Sequence, residues 1–160
     1  MTIVPQLRRA VAYAMTGEAQ ASYAAIGLAQ DIFGRAPDKP TNEWCTFVTQ
    51  AEIDGVAGTC AVRLGDTKRA EATLERAISR HGSQFIRNRA LYRVRLATAR
   101  IDAGSVDGAL QSAGSALDDL SGELTSAIIA GELREVALKL AGYRMIDGVE
   151  EFLDRYSSMK

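Results

Sequence analysis

The chain has 160 residues, 47% of them apolar and 24% charged, with a formal net charge of −1. That is long enough to bury a core and too apolar for global disorder. Aromatics are only 6%, which disfavours a sheet, and no apolar run approaches the roughly 20 residues needed to span a bilayer. The N-terminus reads as a helix rather than a signal peptide, because Thr16, Gly17 and Glu18 break its short apolar stretch. A cytoplasmic protein with no membrane partner is the resulting expectation.

In chain order, hydrophobic periodicity predicts a first helix over Gln6–Met15, closed by Gly17, and a second over Glu18–Phe33. The second would turn Ala19, Tyr23, Ile26 and Ala29 or Gln30 inward. A loop follows over residues 34–40, near the boundary at 34–42, with Thr41 or Asn42 as N-cap of the next helix. That third helix is expected over Glu43–Leu64, with Trp44, Phe47, Val48, Ala51, Gly55, Gly58 and Val62 as one stripe. Further helices are expected over Thr67–Arg80, Ser83–Ala103, Ser105–Leu120, Glu123–Ala141 and Met145–Tyr156. Their inner residues would be Ala70, Leu74, Ala77 and Ile78, then Phe85 or Ile86, Ala90, Val94, Ala97 and Ile101. Next come Ala109, Ala113, Ala116, Leu117 and Leu120. The seventh helix carries two apolar rows, Leu124, Ile128, Gly131 and Leu138 beside Leu133, Val136, Ala137 and Leu140. The last would bury Val149, Phe152, Leu153 and Tyr156. The sum is one all-α domain over 1–160, with about eight helices in four antiparallel hairpins.

One pattern governs this reading. Gly58–Ile78 runs from a helix through Leu64-Gly65-Asp66 into the next, and returns 39 residues later over Ala97–Leu117. Gly104 then stands for Gly65, Ala109 for Ala70 and Ala116 for Ala77. A period of this length marks stacked helical hairpins, an architecture that generally binds other molecules.

Chemistry-bearing motifs are scarce. There is no P-loop, GxSxG or HExxH, and the one histidine, His81, sits at a helix end where it would compensate the dipole. Cys45 and Cys60, on one helix, would stand about 22 Å apart, beyond disulfide reach. No cofactor, metal site or catalytic residue is expected.

Charge is uneven. Arg63–Arg100 holds ten basic and three acidic residues, and everything from Ile101 onward holds five basic and eleven acidic ones. Two readings stay open: the arginines pair with acids on neighbouring helices, or they form a basic face for an acidic peptide. Nucleic acid is unlikely on sequence grounds, because the pI is near 5.9 and no aromatics interleave with the arginines.

Ala57-Gly58-x2-Ala61, Gly65, Ala70-x3-Leu74 and Ala77, repeated as Leu96-Ala97, Gly104, Ala109-x3-Ala113 and Ala116, resemble the tetratricopeptide repeat (TPR). The period is 39 rather than 34, each unit lacks the leading tryptophan, and Gly82 replaces the closing proline. A narrower resemblance lies in Glu43-Trp44-x2-Phe47, Ala51-Glu52-Ile53, Leu64-Gly65-Asp66 and Arg87-x-Arg89-Ala90-Leu91. These resemble the TPR-like C-terminal sensor regions of actinobacterial helix-turn-helix transcriptional regulators, whose DNA-binding part has no counterpart in these residues. The resemblance implies a right-handed array with a concave groove lined by the first helix of each hairpin. Candidate partner-binding residues are therefore Glu52, Thr59 and Arg63 on the third helix, and Arg89, Arg93, Arg95, Thr98 and Asp102 on the fifth. Gly55 and Thr59 occupy places of the chaperone-tail clamp, so a protein or peptide of another kind is the expected partner. The alternative is a homodimer or adaptor that pairs through the outer apolar row of the seventh helix or the open first end.

Overall fold

A computed structural model describes residues 2–35, 48–123 and 126–159. Among them stand eight α-helices and no strand, so the protein is all-α. The helices are α1 (Ile3–Met15), α2 (Ala19–Arg35), α3 (Gln50–Arg63), α4 (Thr67–Arg80), α5 (Ile86–Asp102), α6 (Val106–Leu120), α7 (Ala127–Leu140) and α8 (Val149–Ser157). Single 3-10 turns, Ser83–Phe85 and Ala141–Tyr143, precede α5 and follow α7. The chain divides into two compact units, Met1–Arg80 and His81–Lys160.

Three hairpins share one turn chemistry. At the end of α3, the Gly65 N–H donates to Val62 O (3.1 Å) and the Asp66 N–H to Ala61 O (3.0 Å). One repeat later, the Gly104 N–H donates to Ile101 O (2.9 Å) and the Ser105 N–H to Arg100 O (2.8 Å). Gly17 and Glu18 repeat the pair after α1, on Ala14 O and Tyr13 O. These bonds satisfy the last carbonyls of each helix and require a left-handed residue at the turn. Gly65 (φ +72°) and Gly104 (φ +83°) supply it without a Cβ penalty.

In the first unit α1 packs on α2 and α3, and α3 on α4. Leu7, Ala10, Ala14, Ala25, Ile26, Ala29, Ile53, Ala57 and Cys60 form its core. The buried Ser22 hydroxyl donates to Ala10 O (2.8 Å) and ties α2 to α1. Because α3 is central, its short side chains are buried almost all round, Gly58 and Cys60 included. Gly58 lets α4 approach: a Cβ placed there would stand 2.5 Å from Leu74 Cγ.

In the second unit α5 packs on α6, α7 on α5, and α8 on α6. Val94, Ala97, Ala113, Leu117, Leu133, Val136, Leu140, Val149 and Phe152 carry its core.

Several expectations need correction. The third helix begins at Gln50, where Thr49 and Glu52 form a reciprocal capping box; Trp44, Phe47 and the N-cap at Thr41 or Asn42 lie outside the described residues. Ala19 is exposed and Val62 half-buried, and of the alternatives Ala29 and Gln30 it is Ala29 that is buried. Phe85 and Ile86 are exposed rather than core. On α7 the row named first is the outer one: Ile128 is 63% and Leu138 59% exposed, while Ile129, Leu133, Val136, Ala137 and Leu140 are buried. Leu124 lies outside the described residues. The last helix starts at Val149, and Met145 is almost fully exposed. The fourth hairpin departs from the pattern, since α7 packs mainly on α5.

Candidate functional site

The residues expected to bind a partner are largely engaged within the protein. Glu52 caps α3. The Thr59 hydroxyl is buried and donates to Gly55 O (2.8 Å). Thr98 donates in the same way to Val94 O (3.3 Å). Arg63 is exposed at the end of α3, and Asp102 accepts from Lys139 Nζ (2.8 Å).

Four α5 arginines of the basic stretch meet acceptors on neighbouring helices. Arg89 grips Asp119 with two donors, Nε at 3.1 Å and Nη2 at 2.5 Å. Arg93 adds a third donor to the same carboxylate (2.7 Å) and reaches Ser115 O (3.1 Å). The hydrogen bonds to Asp119 raise the Arg89 guanidinium above its already high ordinary value. Arg95 makes a bidentate pair with Glu132 (2.9 and 2.8 Å). Arg100 donates to Gly108 O and Ser112 Oγ. The charge imbalance between Arg63–Arg100 and the acidic remainder is thus partly an internal exchange, with α5 cations meeting acids of α6 and α7. Arg89, Arg93 and Arg95 do not form an open basic face.

A different arrangement opens in the first unit. Between α2 and α4 lies a cleft of about 550 Å³, with Ala57 of α3 at its floor. Tyr23, Ile26, Gly27 and Gln30 line one wall, and Lys68, Arg69, Ala72, Thr73 and Arg76 the other. Asp66 closes one end. Its Oδ1 accepts the Arg69 backbone N–H (3.2 Å) and so caps α4, while its Oδ2 accepts the Tyr23 hydroxyl (3.0 Å). The Arg69 guanidinium lies 3.8 Å from the Tyr23 ring centroid, within cation–π range. Arg76 leans from the cleft toward Asp54 of α3, at 3.8 Å. The Asp54 carboxylate is 2% exposed and is held chiefly by Arg80, with Gln50 Nε2 at 3.4 Å.

Burial, then the bond to Asp66, pushes the Tyr23 phenol up to about 12. The neutral phenol is the form that folding favours, so this contribution is complete below the ordinary value of about 10 and is lost as pH rises from about 10 to 12. Subtracting the ultraviolet titration of Tyr23→Phe from that of the native chain is expected to leave one phenol with a midpoint near 12. A midpoint near 10 would mean that the Tyr23 hydroxyl is neither buried nor bonded to Asp66 in solution.

The sequence reading missed Tyr23, Lys68, Arg69 and Arg76 as site residues, because it looked to the first helices of the hairpins and the cleft opens between second helices. Its one available signal was the cluster of cations over 68–80. In the second unit, His81 is buried and its ring stacks on Tyr92 (centroids 5.4 Å apart), with Phe85 tilted beside it at 5.6 Å. Among the described residues no three His, Cys, Asp or Glu side chains gather as for a metal ion, and no helix is long and apolar enough to cross a membrane. No family model, curated protein or solved structure matches the chain.

Proposed function

We propose that this chain is a non-catalytic, TPR-like binding module that receives an acidic peptide segment in the cleft between α2 and α4. The sensing part of a bacterial transcriptional regulator is the setting that the sequence resemblance supplies. One observation carries the reading: among the described residues three cations, Lys68, Arg69 and Arg76, line an open cleft that holds one carboxylate, Asp66. Apolar side chains on its walls and floor, Ile26, Ala72 and Ala57, give a peptide side chain somewhere to lie. Arginine suits the task because its planar fork matches a carboxylate with two hydrogen bonds.

The test is fluorescence anisotropy of a labelled peptide alternating glutamate and leucine, titrated with the full chain. The native protein is expected to bind and to weaken as salt rises, and Arg69→Glu/Arg76→Glu to lose binding at least tenfold. Equal binding by native and variant proteins would remove the cleft from the function.

A second reading has its own observation, on the outer face of α7. Ile128, Gly131 and Leu138 stand on the side opposite the buried row, and a Cβ at Gly131 would meet nothing within 4 Å. At 100° per residue, exposed Arg134 and Glu135 fall on the two flanks of Gly131. A two-fold axis parallel to α7 would set Gly131 against its copy and Arg134 against Glu135 on both flanks, as in a parallel coiled coil. Homodimerisation is then expected to be lost in Leu138→Glu. A mass that stays monomeric across a dilution series of the native protein would exclude it.

A further inference from the structure

The cleft between α2 and α4 has a charge count that specifies its ligand further, on the premise that it is the binding site. Its wall and the carboxylate behind it bring together four cations, Lys68, Arg69, Arg76 and Arg80, and two carboxylates, Asp66 and Asp54. Each carboxylate already has a nearer cation. Arg80 meets Asp54 directly, and Arg69 Nε lies 3.5 Å from Asp66 while its guanidinium covers Tyr23. Asp66 is further satisfied by the Tyr23 hydroxyl and the Arg69 backbone N–H. Arg76, 3.8 Å from Asp54 and half exposed, and the exposed Lys68 are the surplus. Among the described residues two positive charges thus remain to be matched. From α2 the cleft receives only uncharged residues, Tyr23, Ile26, Gly27 and Gln30, and Glu71 and Glu75 of α4 do not line it.

We infer that the cleft takes a dianionic group, a phosphomonoester on an apolar or aromatic carrier, in preference to a single carboxylate. A phosphomonoester brings close to two negative charges and three acceptor oxygens near neutral pH. It can accept from the Arg76 fork while Lys68, about two helical turns away on the same wall, offsets its second charge, whereas a carboxylate matches one of the two charges. The carrier lies along Ile26, Gly27 and Ala72. Phosphorylated side chains and small phosphate esters share this chemistry.

The experiment is a calorimetric titration of the full chain with phenyl phosphate, benzoate and a phosphoserine peptide, at about pH 5 and about pH 7.5. The second ionisation of a phosphomonoester lies near pH 6, so phenyl phosphate is expected to bind about tenfold tighter at the higher pH. Benzoate, ionised throughout, is expected to bind weakly and to change little. No histidine lines the cleft and Tyr23 titrates near 12, so the benzoate series reports any remaining contribution from Asp54 and Asp66. Arg76→Gln, which keeps a polar side chain at an exposed position, is expected to abolish the preference for the phosphate ester while leaving the helical circular dichroism unchanged. Tighter binding of the phosphoserine peptide than of phenyl phosphate places the source in a protein, and the reverse order in a small metabolite; both sustain the inference. Equal, pH-independent binding of phenyl phosphate and benzoate, lost together in Arg69→Glu/Arg76→Glu, would overturn the dianion and keep the acidic-ligand cleft. Absence of binding by every anion would overturn both.

Discussion

Asp119→Ala is expected to lower the stability of the second unit by about 2–4 kcal/mol, somewhat under the roughly 3–5 kcal/mol for removing one partner of a buried ion pair because the two arginines keep some contact with water. The reason is arithmetic of charge and donors. Asp119, 5% exposed, accepts three hydrogen bonds from Arg89 and Arg93, and both arginines are only 24% exposed. Alanine leaves two guanidinium groups partly buried against α6 with Ser115 O as the remaining acceptor. Asp119→Asn keeps one acceptor oxygen and is expected to fall between the two. Amide hydrogen exchange reads the effect locally: protection in α5 and α6 should drop by about thirtyfold to nearly a thousandfold, because each 1.4 kcal/mol is a factor of ten. Protection that stays within threefold of native would mean the network is solvated and contributes nothing. Charge reversal at Arg89 and Arg93 then carries a stability cost of its own. A partner lost in such a variant would report unfolding of the second unit, so the cleft residues Arg69 and Arg76 are the better probes of binding.

How much of this was legible in the sequence depends on how local each signal is. The hairpin turns were, since a glycine stop, its flanking residues and the 39-residue period lie within one short stretch, and α4 runs over Thr67–Arg80 as its periodicity predicts. The start of α3 was also written locally, because Thr49-Gln50-Ala51-Glu52 is a capping box by spacing. The apolar stripe extending upstream through Trp44 and Phe47 outweighed it. For α7, periodicity supplied two rows at helical spacing and no phase. Which row faces inward is decided by contact with α5, which sequence spacing does not encode. The pairings that define the site are the least local of all. Arg89 finds Asp119 30 residues away and Tyr23 finds Asp66 43 residues away. A run of cations therefore looked the same whether it was paired, as on α5, or lining a cleft, as on α4.

The contact between Gly58 and Leu74 gives the largest expected effect in the first unit, and it couples the core to the cleft. Leu74 is fully buried, and a Cβ at Gly58 would stand 2.5 Å from its Cγ, 2.7 Å from its Cδ2 and 3.3 Å from its backbone nitrogen. The two atoms under 3.0 Å are the branch point and a methyl of a fully buried leucine, with main chain close behind, so Gly58→Ala forces Leu74 from its place and α4 away from α3 with it. Overpacking costs about 1–3 kcal/mol, less the 0.5–1 kcal/mol that alanine gains over glycine in a helix. Leu74→Ala instead leaves a cavity at about 2–5 kcal/mol. In the double variant the new methyl enters part of the space the leucine vacates. Its cost is therefore expected to be less than the sum of the two by about 0.5–3 kcal/mol, the range for residues in contact. Urea unfolding of the four proteins, followed by exchange in α3 and α4, measures the cycle, and strict additivity would mean that the two positions do not touch. Because α4 also carries Lys68, Arg69 and Arg76, its displacement by Gly58→Ala alone is expected to weaken anion binding in the cleft. Relaxation of α4 toward α3 in the double variant should restore part of that binding.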